Sequence, residues 1–189
     1  MLIEDLLGKA SSLGTREIQK IRTECSQFLQ QSGQLPVYKP LPTTYNDFHK
    51  VKVRFHKKQT AVVEAFNKAF TDYYNMRQRA IFAYGQCPSL SEGTEPFYVF
   101  PINGFKFLYS KEVKNSSADY QHVIDTLFEQ FEDNTRAIEI VRDLLKYTYL
   151  RENLYEGIMS DSEIIFYGVP FYYAVRESAF PYGKLLATP

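Results

Sequence analysis

The chain has 189 residues, 44% apolar and 23% charged, and its 22 Lys/Arg balance its 22 Asp/Glu to zero net charge. That length supports a hydrophobic core without disulfide or metal staples, and the neutral total lacks the bulk basicity of a dedicated nucleic-acid coat. Fifteen Tyr and fifteen Phe, with no Trp, supply rings that suit half-buried positions and binding surfaces.

Leu2–Ser12 predicts a short amphipathic helix through Leu2, Leu6 and Leu7. No basic region followed by an apolar core follows Met1, so no signal peptide is expected, and no apolar run approaches the length of a membrane span. In Thr15–Gln31, Ile18, Ile21, Cys25, Phe28 and Leu29 recur at three- and four-residue steps and predict a helix. Thr15 is the expected N-cap and Ser32-Gly33 the stop. Residues 1–33 thus read as a helical N-terminal arm. Cys25 falls on the apolar face, as a buried inert thiol. Cys25 and Cys87 show no CxxC spacing and no adjacent His, which fits a reduced intracellular compartment.

Residues 34–44 carry Pro36, Pro40 and Pro42, which favour an extended path. Leu35, Val37, Tyr38 and Leu41 are too apolar for a free linker, so the segment reads as a strap over the core. In Lys50–His56, Val51, Val53 and Phe55 alternate with Lys50, Lys52, Arg54 and His56. That period of two predicts a strand with one buried and one cationic face. Gln59–Tyr84 reads as the longest helix, ended by Gly85, and Pro88 and Pro96 bracket a polar loop.

Phe97–Ser110 places two aromatic runs around Asn103-Gly104, the pair that most readily takes a two-residue hairpin turn. Asn115-Ser116-Ser117 opens the next helix, with Ser116 and Asp119 as a capping box. Its stripe is Tyr120, Val123, Ile124, Leu127, Phe128 and Phe131. Glu132-Asp133-Asn134 breaks the pattern and caps a helix over Thr135–Glu156, with Leu144 and Tyr155 among its inner residues and Gly157 closing it. Glu163–Tyr167 and Phe171–Arg176 read as strands joined across Gly168-Val169-Pro170, before a surface tail. The expected fold is α+β: a single domain over 1–189, its antiparallel sheet built from hairpins and packed against several helices.

The cationic face is the leading site candidate: Lys50, Lys52, Arg54, Lys57 and Lys58 as a partner-binding surface. The competing readings are an edge strand guarded by lysines against unwanted pairing and, less favoured, a phosphate-contacting nucleic-acid surface. His49, His56 and His122 match no zinc spacing, and no glycine-rich phosphate loop occurs. No catalytic residue, metal or cofactor is therefore assigned. Tyr98, Phe105, Phe107 and Tyr109 could stack bases, but core packing explains them better. Glu163, after Asp161 and Ser162, has a slight likeness to the catalytic glutamate segment of ADP-ribosyltransferases. No arginine-bearing or Ser-Thr-Ser strand accompanies it, and a solvent-facing acid at a strand start is the plainer reading.

Four segments, MLIEDLLGKA, LPVYKPLPTTYNDFHKVKVR, FPINGFKFLYS and SDSEIIFYGVPFYYAVRES, resemble small accessory proteins of T-even-type bacteriophages. Within that group the likeness is to the anti-DarT factors, which counter a bacterial toxin that ADP-ribosylates DNA. The resemblance implies a non-enzymatic inhibitor that binds a host protein in the cytoplasm of the infected bacterium. It carries no motif from which a functional residue can be transferred. A virion or assembly protein and an ADP-ribosyltransferase-like enzyme are the alternatives.

Overall fold

A computed structural model describes residues 13–131 and 133–183, so the expected Leu2–Ser12 helix and the last six residues of the tail lie outside the described residues. In chain order the elements are α1 (Thr15–Glu24), α2 (Ser26–Gln31), β1 (Tyr38–Pro42), β2 (Phe48–Lys52), α3 (Ala61–Ala69), β3 (Ile81–Tyr84), β4 (Thr94–Pro101) and β5 (Lys106–Tyr109). There follow α4 (Ser116–Gln130), α5 (Asn134–Thr148), α6 (Leu154–Met159), β6 (Glu163–Tyr167) and β7 (Phe171–Arg176). The seven strands form one antiparallel sheet in the order β2-β7-β4-β1-β3-β6-β5, with helices packed on it. The α+β class is the expected one.

The strand pairing is not. The Phe97–Ser110 run makes no hairpin: β4 lies between β1 and β7, and β5 pairs with β6 at the far edge. Tertiary contacts outbid the turn propensity of Asn103-Gly104. The Asn103 N–H donates to Glu24 O at 2.7 Å, its Nδ2 to Thr23 O at 3.1 Å, and its Oδ1 accepts the Gln27 N–H at 2.9 Å. The pair thus caps the break between α1 and α2 instead of closing a ribbon. Nor do β6 and β7 pair with each other across Gly168-Val169-Pro170; β6 joins β3 and β5, and β7 joins β2 and β4.

Three expected helices are shorter than their periodicity suggests. The Thr15–Gln31 helix breaks at Cys25, and Gly14, not Thr15, is its N-cap. The Gln59–Tyr84 helix ends at Ala69. Asn75 takes a left-handed φ of 53°, a turn conformation, and Ile81–Tyr84 is β3. Its β-branched and aromatic residues suit a strand sandwiched by neighbours. The Thr135–Glu156 helix stops at Thr148, because Leu150 exchanges backbone hydrogen bonds with Tyr109 and continues the sheet edge. Leu144 and Tyr155, expected inside, are exposed. The Asp133 cap holds, its carboxylate accepting the Thr135 N–H. The α4 capping box sits one residue early: Asn115 Oδ1 accepts from Ser117 and Ala118, and Asp119 accepts the Asn115 N–H.

Two packed layers hold the sheet. On one side Phe28 of α2 meets Phe100, Phe105 and Phe166 at centroid distances of 5.9, 6.2 and 6.0 Å. The N-terminal segment from Leu13 is therefore part of the core. On the other side α3, α4 and α5 bury Phe66, Tyr120, Ile124, Val141 and Leu145 against Leu108, Ile165 and Tyr167. Strand β6 alternates between the layers, Ile164 and Phe166 to the first and Ile165 and Tyr167 to the second, so the whole EIIFY run is buried. The tail also packs inward as far as it is described: Tyr182 stacks on Phe100, and its hydroxyl donates to Leu35 O.

Candidate functional site

The site begins with two prolines in mid-sheet. The expected strap contains a strand, β1, and Pro40 and Pro42 lie within it. Val99 N–H donates to Val37 O at 2.9 Å, so odd residues of β1 exchange bonds with β4, and even residues turn their backbone nitrogens toward β3. Proline has no N–H to give. Pairing between β1 and β3 accordingly consists of one residue pair, Tyr38↔Tyr84, after which the sheet splits. Extending that register sets Pro40 opposite Phe82. The Phe82 carbonyl accepts instead from Lys39 Nζ at 3.0 Å.

The split opens a cleft of about 200 Å³ lined by β1, β2, β3, β7 and the chain after β2. Strand β2 ends at Lys52, earlier than the expected His56, because beyond it the chain leaves its partner β7. Residues 53–56 then bridge from β7 to the turn before β3. Val53 N–H donates to Pro170 O, His56 N–H to Gln78 O, and Gln78 Nε2 returns a bond to His56 O. The expected division into a buried and a cationic face is lost in this bridge: Val51 and Val53 line the same cleft as Lys52 and Arg54. Lys52, Arg54 and His56 face the cleft, where they join Lys39, Tyr45, Phe82, Tyr172 and an apolar wall that includes Leu41, Val51 and Ile81. Among the described residues no Asp or Glu lines it. Burial pushes the Lys39 ammonium below its ordinary value of 10.5, against the charge of Glu163.

The five expected contact residues divide. Lys52 and Arg54 line the cleft. Lys57 and Lys58 are exposed beyond it, and Lys50 lies over the Phe171 ring at 3.7 Å. Phe55, expected on the buried face, is 44% exposed. It faces a second cleft, with Lys52, Tyr73 and Arg79, and Arg79 lies 5.5 Å from its ring. Lys39 and Arg79 were not found by sequence pattern, because strand pairing brings them here from elsewhere in the chain. The one available signal was the alternate spacing of Pro40 and Pro42, which marks one strand edge as unable to donate.

Glu163 is not the solvent-facing acid its sequence context suggested. It is 4% exposed, and its carboxylate accepts hydrogen bonds from Ser116 and Tyr84. Nearby Arg77, 5% exposed, lies between the Phe66 and Phe82 rings and donates from Nη2 to Ser117 at 2.7 Å. The charge of Glu163 acts on it at longer range than an ion pair, and its Nη1 has no hydrogen-bond partner among the described residues. These groups tie the start of α4 to β3 and β6. Tyr98, Phe105, Phe107 and Tyr109, weighed as base-stacking rings, are all buried in the core. Cys25 is fully buried, its thiol pushed up to about 12 by burial and then by Glu24.

Among the described residues no group of three or more His, Cys, Asp or Glu is placed to hold a metal, and no helix is long and apolar enough to cross a membrane. Comparison with protein-family models, with characterised proteins and with solved structures gave no match.

Proposed function

We propose that the chain is a non-enzymatic binding protein that uses the basic bridge and its flanks, Lys50 to Lys58, to dock on an acidic surface of another protein. The observation that carries this reading is that Lys52, Arg54, Lys57 and Lys58 are exposed along one continuous stretch with no ion pair among the described residues. Unneutralised cations concentrated on a sheet edge steer an acidic partner and set the rate of encounter. Strand β2 is an edge strand, so its lysines also discourage pairing with another sheet. That protection does not account for the cations that continue past the strand to Lys58. The burial of Glu163, with its carboxylate engaged by Ser116 and Tyr84, favours binding over ADP-ribosyl transfer as the activity.

The resemblance to T-even phage accessory proteins supplies the candidate partner: a host defence protein, of the DNA-ADP-ribosylating toxin class, in the infected bacterial cytoplasm. The test is reconstitution. The purified toxin modifies a DNA oligonucleotide in the presence of the wild-type chain or of Lys52→Glu/Arg54→Glu. Inhibition by wild type, lost in the double variant and weakened by salt, supports the reading. Full toxin activity with excess wild-type chain overturns it. Direct retention of the oligonucleotide by the chain alone identifies a nucleic-acid surface and overturns it too.

A further inference from the structure

The cleft beneath the basic bridge has properties that a flat docking surface does not need. We infer that it is a binding site for a small organic phosphate, with the phosphate held by Lys39 and Arg54 at the split in the sheet and the organic part laid on the wall of Leu41, Val51, Ile81 and Phe82. This inference shares Arg54 with the docking surface proposed above but rests on Lys39 and the interior of the cleft, which take no part in that surface, so the Lys39 variant separates the two.

Three observations converge on it. First, Lys39, Lys52, Arg54 and His56 line one half-open cleft that, among the described residues, has no lining carboxylate. Cations gathered in one cleft favour an anion among them, and the one carboxylate whose charge reaches Lys39, Glu163, lies outside the lining. Second, Lys39 reaches the cleft from inside the sheet. One of its three donors is spent on Phe82 O, leaving two for a ligand in surroundings that are poor in water. A charge-assisted bond is stronger there than at an exposed lysine. Third, the remaining lining is apolar or aromatic, with Tyr45 and Tyr172 adding hydroxyls to the rings. A few polar groups on an apolar wall is the usual composition of a small-molecule site. The volume, about 200 Å³, admits a phosphate with one ring. Arg54 supplies a fork that matches two phosphate oxygens, and Lys39 a point charge from below.

The experiment is calorimetric titration of the full chain with inorganic phosphate, phenyl phosphate and phenol at fixed ionic strength. Phenyl phosphate binds saturably and tighter than inorganic phosphate, and phenol does not bind. Lys39→Met and Arg54→Gln each weaken phenyl phosphate by about tenfold or more, as expected for the loss of one charge-assisted contact. Lys57→Gln/Lys58→Gln leaves it within about twofold, since both lie outside the cleft. Arg54 is exposed and without an ion pair, so its variant keeps the test valid if Lys39→Met fails to fold. Absence of saturable binding overturns the inference. So does equal affinity for the two phosphates, or an equal loss in the Lys57/Lys58 variant.

Discussion

Lys39 Nζ donates to the carbonyl of Phe82, at the position where the β1–β3 ladder loses the backbone donor of Pro40. A side chain thus replaces a missing rung, and in doing so an ammonium is carried into the interior of the sheet. The structural repair and the cationic floor of the cleft are the same residue.

This arrangement gives stability a defined pH dependence. Burial lowers the folded pKa of Lys39 below its ordinary value of 10.5, with Glu163 opposing. Below the folded pKa the ammonium is charged in both states, and the folded state carries the full burial penalty. As pH rises through that value toward 10.5 the penalty is released. Wild type should therefore gain stability relative to Lys39→Met over this alkaline window. Urea denaturation of both proteins at pH 7 and at pH 10 measures it, and parallel pH profiles would refute the account.

Asn103 ties the chain after β4 to the α1–α2 junction, nearly eighty residues away in sequence. Its side chain accepts from Gln27 at the start of α2 and donates to Thr23 at the end of α1. Asn103→Ala should cost about 1–2 kcal/mol, a cap plus a second hydrogen bond. Asn103→Asp keeps the acceptor and loses the donor, so its denaturation midpoint should fall between those of wild type and Asn103→Ala.

Arg176 fastens the β1–β2 connection to β7. It pairs with Asp47 at 2.9 Å and with Glu95, donates to the carbonyls of Thr43 and Tyr45, and lies 5.1 Å from the Phe97 ring. Its side chain is only 14% exposed. Arg176→Ala removes two ion pairs and the donor to two carbonyls and should lose about 1–3 kcal/mol in chemical denaturation. Arg176→Lys should recover less than half, because an ammonium cannot span this fork of partners.

Gly85 reads in the sequence as the end of a helix, but its role is close approach. A Cβ there would lie 1.9 Å from the Ile158 carbonyl oxygen of α6. Backbone cannot swing aside as a side chain can, so Gly85→Ala should destabilise by about 3 kcal/mol or more. Gly93→Ala is the control: it has a positive φ of 75° but nothing within contact, and should cost about 1 kcal/mol. Thermal melts that rank the two variants the other way would refute the packing argument.

Asp72 accepts from Lys106 at 3.1 Å and faces Arg151 and the Tyr167 hydroxyl. Partial burial disfavours its ionised form, but the Lys106 hydrogen bond and the charges of Arg151 and Lys106 outweigh this and hold its pKa below the ordinary 3.8. A depressed carboxylate stabilises above its unfolded pKa and loses that contribution as pH falls through the folded one. Asp72→Asn should thus be less stable than wild type at neutral pH, and the gap should close below the ordinary value. Equal gaps at pH 7 and pH 3 would remove the ion pairs as its cause.

What is legible in local sequence is the cap at Asp133, the β6 and β7 spans, most of the apolar stripes of the helices, and so the α+β class. These are local properties, set by periodicities of 3.6 and 2 and by the chemistry of single residues. Which strands pair is settled by contacts distant in the chain. Asn103-Gly104 has the propensity of a hairpin turn, yet its hydrogen bonds go to α1 and α2, and β4 and β5 part to opposite regions of the sheet. The same holds for the site. Lys52 and Arg54 were legible because their alternation is local. Lys39 was not, because its place depends on a register set by Tyr38 and Tyr84 and ended by two prolines, and Arg79 was not, because the Gln78–His56 hydrogen bonds bring its turn against the bridge. Strand pairing is a contest among long-range contacts of similar strength, and no window of sequence contains its outcome.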